Sequence, residues 1–257
     1  MIQSVRRAGA ILRELGSGDK RLGVTELADR LGLAKATVYG LLRSLEAEEL
    51  VERDVETGKY RLGPTLLQLG NAYLDAHELR ARSLLWADSL ATRTSEAVRV
   101  GVPNGHNVLI VHHVFRPDNS VQILEVGAAI PWHVSALGKA IAAYDDPDVA
   151  RRLLEGPLPR LTGRTITDPE ELARALEEIH RSGVAVEDQE AVIGEAEVAA
   201  AVLDHHGRPL GAIGVAGPVE RLILDGVVRA DVVGAVKESA RGLSRELGGG
   251  RRFARAH

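Results

Sequence analysis

Residues 24–45 read VTELADRLGLAKATVYGLLRSL, and two apolar stripes at helical spacing meet in this stretch. Val24, Leu27, Ala28 and Leu31 make the first, with Thr25 placed to cap a short helix. Val38, Leu41, Leu42 and Leu45 recur at i, i+3, i+4 and i+7 and make the second, on a helix expected over 34–47. Between them lies Gly32, a residue suited to the positive φ of a helix C-cap. Ala28 is small where two helices must approach closely. The pattern predicts a helix-turn-helix.

The second helix has another face. Ala36, Tyr39, Gly40 and Arg43 share one spacing on its far side, and Lys35 and Thr37 stand at its start. No acid occurs between Leu33 and Leu45. Small, hydroxyl and cationic groups suit phosphate contact and base-edge reading in a major groove. An ordinary three-helix packing unit with a polar outer face would carry the same pattern. The acids Glu46, Glu48, Glu49 and Glu52 that follow oppose DNA approach unless they point away from it.

Working outward, residues 1–63 read as three short helices and a hairpin. Ser4 is placed to cap the first helix, which carries Ala8, Ile11, Leu12 and Leu15 on one stripe, and Gly16-Ser17-Gly18-Asp19 breaks it. Residues 50–53 and 59–62 are strand-like runs joined by the polar loop 54–58. This hairpin reads as a wing whose Lys59 and Arg61 reach phosphates beside the groove. Pro64 suits a first helical turn. The apolar spacing from Leu66 through Leu84 then predicts one connecting helix over 64–91.

Residues 92–247 read as a second domain of mixed elements. Strands are expected over 97–102, 108–114, 121–126, 184–186, 197–203 and 210–216, with a turn at 204–207. Helices are expected over 134–144, 149–154, 168–182 and 225–247. Asp168 and Pro169 give the 168–182 helix its cap and first turn. The expected class is α+β. Residues 248–257, with Arg251, Arg252 and Arg255, are expected to form a disordered basic tail.

Composition narrows the function. Of 257 residues, 45% are apolar and 26% charged, with no cysteine and a formal net charge of −4. Disulfides, thiolate metal sites and cysteine nucleophiles are excluded. With no basic excess, nucleic-acid binding has to rest on a local patch. Arg6, Arg7, Arg13 and Glu14 interrupt any leader-like apolar run, and no run approaches the roughly 18 residues of a membrane helix. A cytoplasmic protein without membrane contact is expected. Among Ser, His, Asp and metal-ligand residues of 92–250 no spacing forms a catalytic constellation. A small-molecule enzyme with a helical accessory domain is the competing class, and an interaction module without DNA is a third.

The chain resembles a known family over residues 4–247. Residues 4–15 (SVRRAGAILREL), 24–45 and 58–63 (GKYRLG) resemble the winged-helix domain of IclR-type transcriptional regulators. Residues 131–142 (PWHVSALGKAIA) and 183–217 resemble the two signatures of that family's effector domain. Gly40 departs from the arginine that many members carry, which removes one expected DNA contact. It also costs roughly 1 kcal/mol of helix propensity against alanine. Residues 38–43 are most similar to the branch that governs glycerol operons in actinobacteria.

The resemblance implies a GAF/PAS-like sheet with a small-molecule pocket and a homodimer or tetramer on a pseudo-palindromic operator. The implied effector-binding positions are Ala136, Leu137, Glu187, Glu197, Gly214 and Ala216. Gly214 and Ala216 stand where acid sensors offer serine hydroxyls, and Glu197 adds a carboxylate expected to face the cavity. Two ionised carboxylates repel an anion at low dielectric. A polyol or a cation-bearing ligand is therefore expected rather than a simple acid. Lys139 reads as a solvated helix residue. The pairs His112-His113 and His205-His206 each offer at most one inward ligand, so neither metal nor cofactor is expected.

Overall fold

Three helices and a small sheet enclose the first core. In the computed structural model, which describes residues 2–18, 21–118 and 120–253, helix α1 spans Gln3–Gly16, α2 Val24–Leu31 and α3 Lys35–Ala47. Ile11, Leu15, Leu27, Ala28, Val38, Leu42 and Leu45 meet in one buried cluster, so the stripes face inward as their spacing requires. Fully burying one such side chain is worth about 1.5–3 kcal/mol. Gly32 ends α2 at φ +62°. Neither expected cap forms: Ser4 lies inside α1, whose N-cap is Ile2. Thr25 lies inside α2, and Glu26 instead reaches back to accept the Gly23 N–H at 2.6 Å.

Strands β1 (Val51–Arg53) and β2 (Tyr60–Leu62) pair antiparallel, with Glu52 opposite Arg61. Leu22 bridges to Tyr60 on the other side, and Tyr60 drops its ring into the helical core. Asp54 shapes the hairpin loop by accepting the N–H groups of Glu56 and Thr57. These bonds, Thr57 foremost, hold its carboxyl below the usual range.

The expected single helix over 64–91 is two. Helix α4 covers Thr65–Asp75 and α5 covers Glu78–Thr94, broken where His77 takes an extended conformation. No proline or glycine marks that break. The chain divides there into two compact units, Met1–Ala76 and His77–His257.

The second unit is built on a six-stranded antiparallel sheet in the order β5-β4-β3-β8-β7-β6. The strands are β3 (Ala97–Asn104), β4 (Asn107–Val114), β5 (Ala129–Pro131), β6 (Ala185–Asp188), β7 (Glu195–Leu203) and β8 (Pro209–Pro218). Helices α5 and α10 (Ala230–Phe253) pack together and against the sheet. Helix α6 (Ala136–Ala142), with α7 (Pro147–Leu154) and α8 (Pro169–Ser182), belongs to a separate apolar core that includes Val108, Ala199 and Ala212 of the sheet. Asp168 caps α8 and Gly183 ends it, as expected.

Three expectations fail in this unit. Residues 121–126 form no strand: Val121 and Ile123 stand 99% and 82% exposed, and β5 supplies the edge instead. The helix expected from 225 starts at Ala230, after the short helix α9 (Val219–Leu222) and a two-residue hairpin, β9 (Ile223–Leu224) with β10 (Val227–Val228). The tail expected to be disordered from 248 continues as helix backbone to Phe253, and residues 254–257 lie outside the described residues. Among the described residues no helix is long and apolar enough to cross a membrane.

Candidate nucleic-acid interface and ligand cavity

Helix α3 turns its acid-free side outward. Lys35, Ala36, Tyr39, Gly40 and Arg43 are exposed and Thr37 is half-buried, while Val38 and Leu42 hold the opposite side in the core. A Cβ at Gly40 would meet open space. The core therefore does not demand glycine there, and its effect is on the outer surface alone.

Each arginine or lysine named on this face or on the wing, apart from Lys35, has a carboxylate at hand. Arg43 lies 3.7 Å from Glu46, Lys59 3.3 Å from Glu26, and Arg61 2.7 Å from Glu52 across the hairpin. All these side chains remain substantially exposed, so each pair contributes on the order of 0–1 kcal/mol.

In the second unit the register gathers several predicted positions on one sheet face. One rung crosses Glu187, Glu197, Ala216 and Ala97, and the next crosses Ala185, Ala199, Gly214, Arg99 and His113. A cavity of 340 Å³ is lined from this face by Ala97, Arg99, His113, Glu187 and Ala216 and from the 116–125 segment by Arg116, Gln122 and Glu125. Of the six predicted effector positions, only Glu187 and Ala216 line it. Ala136 and Leu137 are fully buried in the α6 core. At Gly214 a Cβ would come within 2.8 Å of the Ala199 Cβ, so the rung is packed shut there.

Glu197 does not face the cavity as expected. Its carboxylate is 2% exposed and turned toward the start of α6. There it accepts the Ser135 hydroxyl at 2.9 Å and the Leu137 N–H at 3.3 Å, and Arg99 stands 3.5 Å from its other oxygen. Ser135 is the α6 N-cap. Gly138 keeps this corner tight, since a Cβ would fall 2.3 Å from the Trp132 carbonyl oxygen.

The sequence reading missed Arg99. It joins Glu197 to Glu125, whose Oε1 accepts from Nη2 at 2.7 Å. A lone cation inside the apolar run AVRVGV was the available signal. Arg116 pairs with Asp118 and stands 3.8 Å from the buried Glu96, whose other oxygen accepts from Arg221 at 2.5 Å. Glu187 accepts the N–H groups of Glu190 and Ala191. Burial nevertheless pushes its carboxyl up to about 7, with the negative charges of Glu197 and Glu190 adding to the effect. His113 is driven down to about 4 by burial and then by Arg99, so it stays neutral and accepts the Glu125 N–H. Lys139 is not solvated: it is 2% exposed and donates to Glu190 at 2.6 Å. Among the described residues no group of three His, Cys, Asp or Glu side chains is placed to hold a metal ion.

A winged helix-turn-helix on one unit and a cavity of mixed lining on an α+β sheet in the other define a class: transcriptional regulators that bind DNA and respond to a small molecule. Models of the IclR helix-turn-helix domain and the bacterial transcriptional regulator IclR C-terminal domain match residues 4–55 and 71–245. The chain belongs to the IclR family and is a transcriptional regulator, not an enzyme. It is 47% identical to the glycerol operon regulatory protein of Streptomyces coelicolor over 250 residues, covering 97% of this chain and 98% of the relative. The protein of that name from Streptomyces griseus is 50% identical with the same coverage. The crystal structure of an IclR transcriptional regulator from Alicyclobacillus acidocaldarius superposes with a TM-score of 0.82 at 30% identity, covering 95% of this chain and 98% of that one.

Proposed function

We propose that this regulator controls a glycerol-utilisation operon. The likeness over nearly full length to two proteins named for that operon supports the assignment. Helix α3 lies in the major groove. Lys35, Ala36, Thr37, Tyr39, Gly40 and Arg43 face the duplex, and Lys59 and Arg61 contact the flanking backbone. One such module gives limited affinity, so the protein works as a homodimer or tetramer on a pseudo-palindrome with half-sites about one helical turn apart. Helix α4 supports this reading: it buries no residue, and Leu67, Leu69 and Tyr73 are exposed. The protein acts in the cytoplasm, and its two domains run over 1–63 and 92–247.

The effector binds in the 340 Å³ cavity. The matched arginines carry its chemistry: Arg99 is balanced by Glu125 and Glu197, and Arg116 by Asp118, with Glu96 shared between Arg116 and Arg221. No surplus positive charge is left for a simple acid. Near neutral pH, Glu187 is part protonated and can both donate to and accept from a hydroxyl. A neutral polyol such as glycerol fits best. Ligand binding shifts operator affinity by about 1–3 kcal/mol, as such couplings do.

Footprinting on the intergenic DNA beside the protein's own gene, with ligand titration, tests the regulatory reading. A protected pseudo-palindrome whose occupancy responds to glycerol is the expected result. Calorimetry against glycerol, glycerol 3-phosphate, pyruvate and glyoxylate tests the cavity, and tight pyruvate binding would overturn the polyol assignment.

A further inference from the structure

Helix α10 segregates its charges. Its acids are Asp231, Glu238 and Glu246. Each already has a partner: Asp231 pairs with Arg229, Glu238 accepts from Arg93 of α5 at 2.7 Å, and Glu246 accepts the Trp86 indole N–H of α5 at 3.0 Å. The cations Lys237, Arg241 and Arg245 follow one another at i, i+4 and i+8, which places them on one stripe of the helix. All three line a groove of 640 Å³ that α10 forms with Ala200, Ala201 and Leu203 of β7. This groove shares no lining residue with the 340 Å³ cavity.

The stripe is not neutralised from within. Among the described residues Arg241 and Arg245 make no ion pair. The one carboxylate on the lining, Glu238, stands three residues before Arg241, yet its bond goes to Arg93, which lies outside the lining. Lys237 gives one N–H to the Ser182 carbonyl at 2.7 Å, and an ammonium has two more to offer. In the 340 Å³ cavity each arginine faces a carboxylate, whereas this groove presents three cations whose mutual repulsion only an outside anion relieves.

We infer that this groove binds a small organic molecule carrying two phosphate groups. Charge sets the number: a phosphate monoester carries about 1.5–2 negative charges at neutral pH, so two of them meet three cations. Spacing agrees. Neighbouring members of the stripe are about 6 Å apart along the helix axis and the outer two about 12 Å, too wide for one phosphate and suited to two on a short carbon frame. Each guanidinium offers a fork of N–H groups that fits phosphate oxygens two at a time. The small side chains of β7 leave room for the frame, and the volume falls within the range of small-molecule sites, about 300–1,000 Å³.

Calorimetry on the full-length protein with fructose 1,6-bisphosphate as the probe tests this, at constant ionic strength. The expected result is saturable binding of one molecule per chain, with fructose 6-phosphate at least tenfold weaker and sulfate weaker still. Arg241→Gln and Arg245→Gln should each weaken the bisphosphate about tenfold, as the loss of a charged hydrogen bond does. Both side chains are exposed, so the far-ultraviolet circular dichroism should not change. Arg174→Gln, on the exposed side of α8 and outside the groove, removes the same charge and should leave binding unaltered. Titrations that never saturate, or affinity unchanged in both groove variants, overturn the site. Equal affinity for the two sugar phosphates overturns the pairing of two phosphates with the stripe. An equal loss in Arg174→Gln would reduce the effect to net charge and overturns the groove as its seat. No bisphosphate binding, together with weaker random-DNA binding by Arg241→Gln, would give the stripe to nucleic acid and overturn the small-ligand assignment.

Discussion

Replacing Glu187 with glutamine should change how the stability of the His77–His257 unit varies with pH. The carboxyl lies at about 7 in the fold against an ordinary 4.5. A gap of about 2.5 pK units corresponds to about 3 kcal/mol at 1.36 kcal/mol per unit. The residue is only 3% exposed, so solvent screening takes little from this figure. The folded state holds the proton more tightly than the unfolded chain does. The contribution is therefore complete below pH 4.5 and is lost as pH rises through about 7. His113, depressed to about 4, acts in the opposite direction. Its contribution is present above 6.5 and is lost as pH falls, but it is common to both proteins and cancels in the difference. Glutamine keeps the oxygen that accepts the Glu190 and Ala191 N–H groups. Urea unfolding followed by tryptophan emission reads this unit alone, because Trp86 and Trp132 both lie within it. Wild type should lose about 2.5 kcal/mol relative to Glu187→Gln between pH 5 and 8.5, the rest of the span falling below pH 5. Parallel stability curves over that range would refute the burial argument.

Three further outcomes are expected. Arg43→Ala should weaken operator binding by about 1–3 kcal/mol with unchanged circular dichroism, and an unaltered gel shift would discredit the recognition-helix assignment. Lys59→Ala should weaken specific and random DNA about equally and flatten the logarithmic salt dependence by at most about one unit. Glu197→Ala removes an anion from a buried pair and strips the Ser135 hydroxyl and Leu137 N–H of their acceptor. It should cost about 3–5 kcal/mol in urea unfolding, and a loss below 1 kcal/mol would show that Arg99 is satisfied without it.

Local patterns were the legible part of this chain. The α2–α3 pair follows from apolar positions three and four residues apart and one positive-φ glycine, all within 22 residues. The Asp168–Gly183 helix was equally plain. Residues 121–126 misled because β-branched composition describes fitness for a half-buried sheet, and Val121 and Ile123 have no sheet beside them. The 76–77 break carried no breaker residue to announce it. At the cavity, Glu187 and Ala216 were implied by the family resemblance rather than by pattern, and both line it. Glu197 and Lys139 were misassigned because their partners lie 62 and 51 residues away in the chain. Arg99 was missed although its sequence setting singled it out.

The ion pairs that Glu26, Glu46 and Glu52 make with Lys59, Arg43 and Arg61 bear on how such a protein would search a genome. If these cations contact phosphate as proposed, each first leaves a carboxylate, which trims the electrostatic gain on any polyanion by at most about 1 kcal/mol per pair. Binding to arbitrary sequence should then fade at modest ionic strength, and residence at the right site must come from shape and base edges. In this arrangement the glutamates act as a built-in competitor that every stretch of chromosome has to outbid.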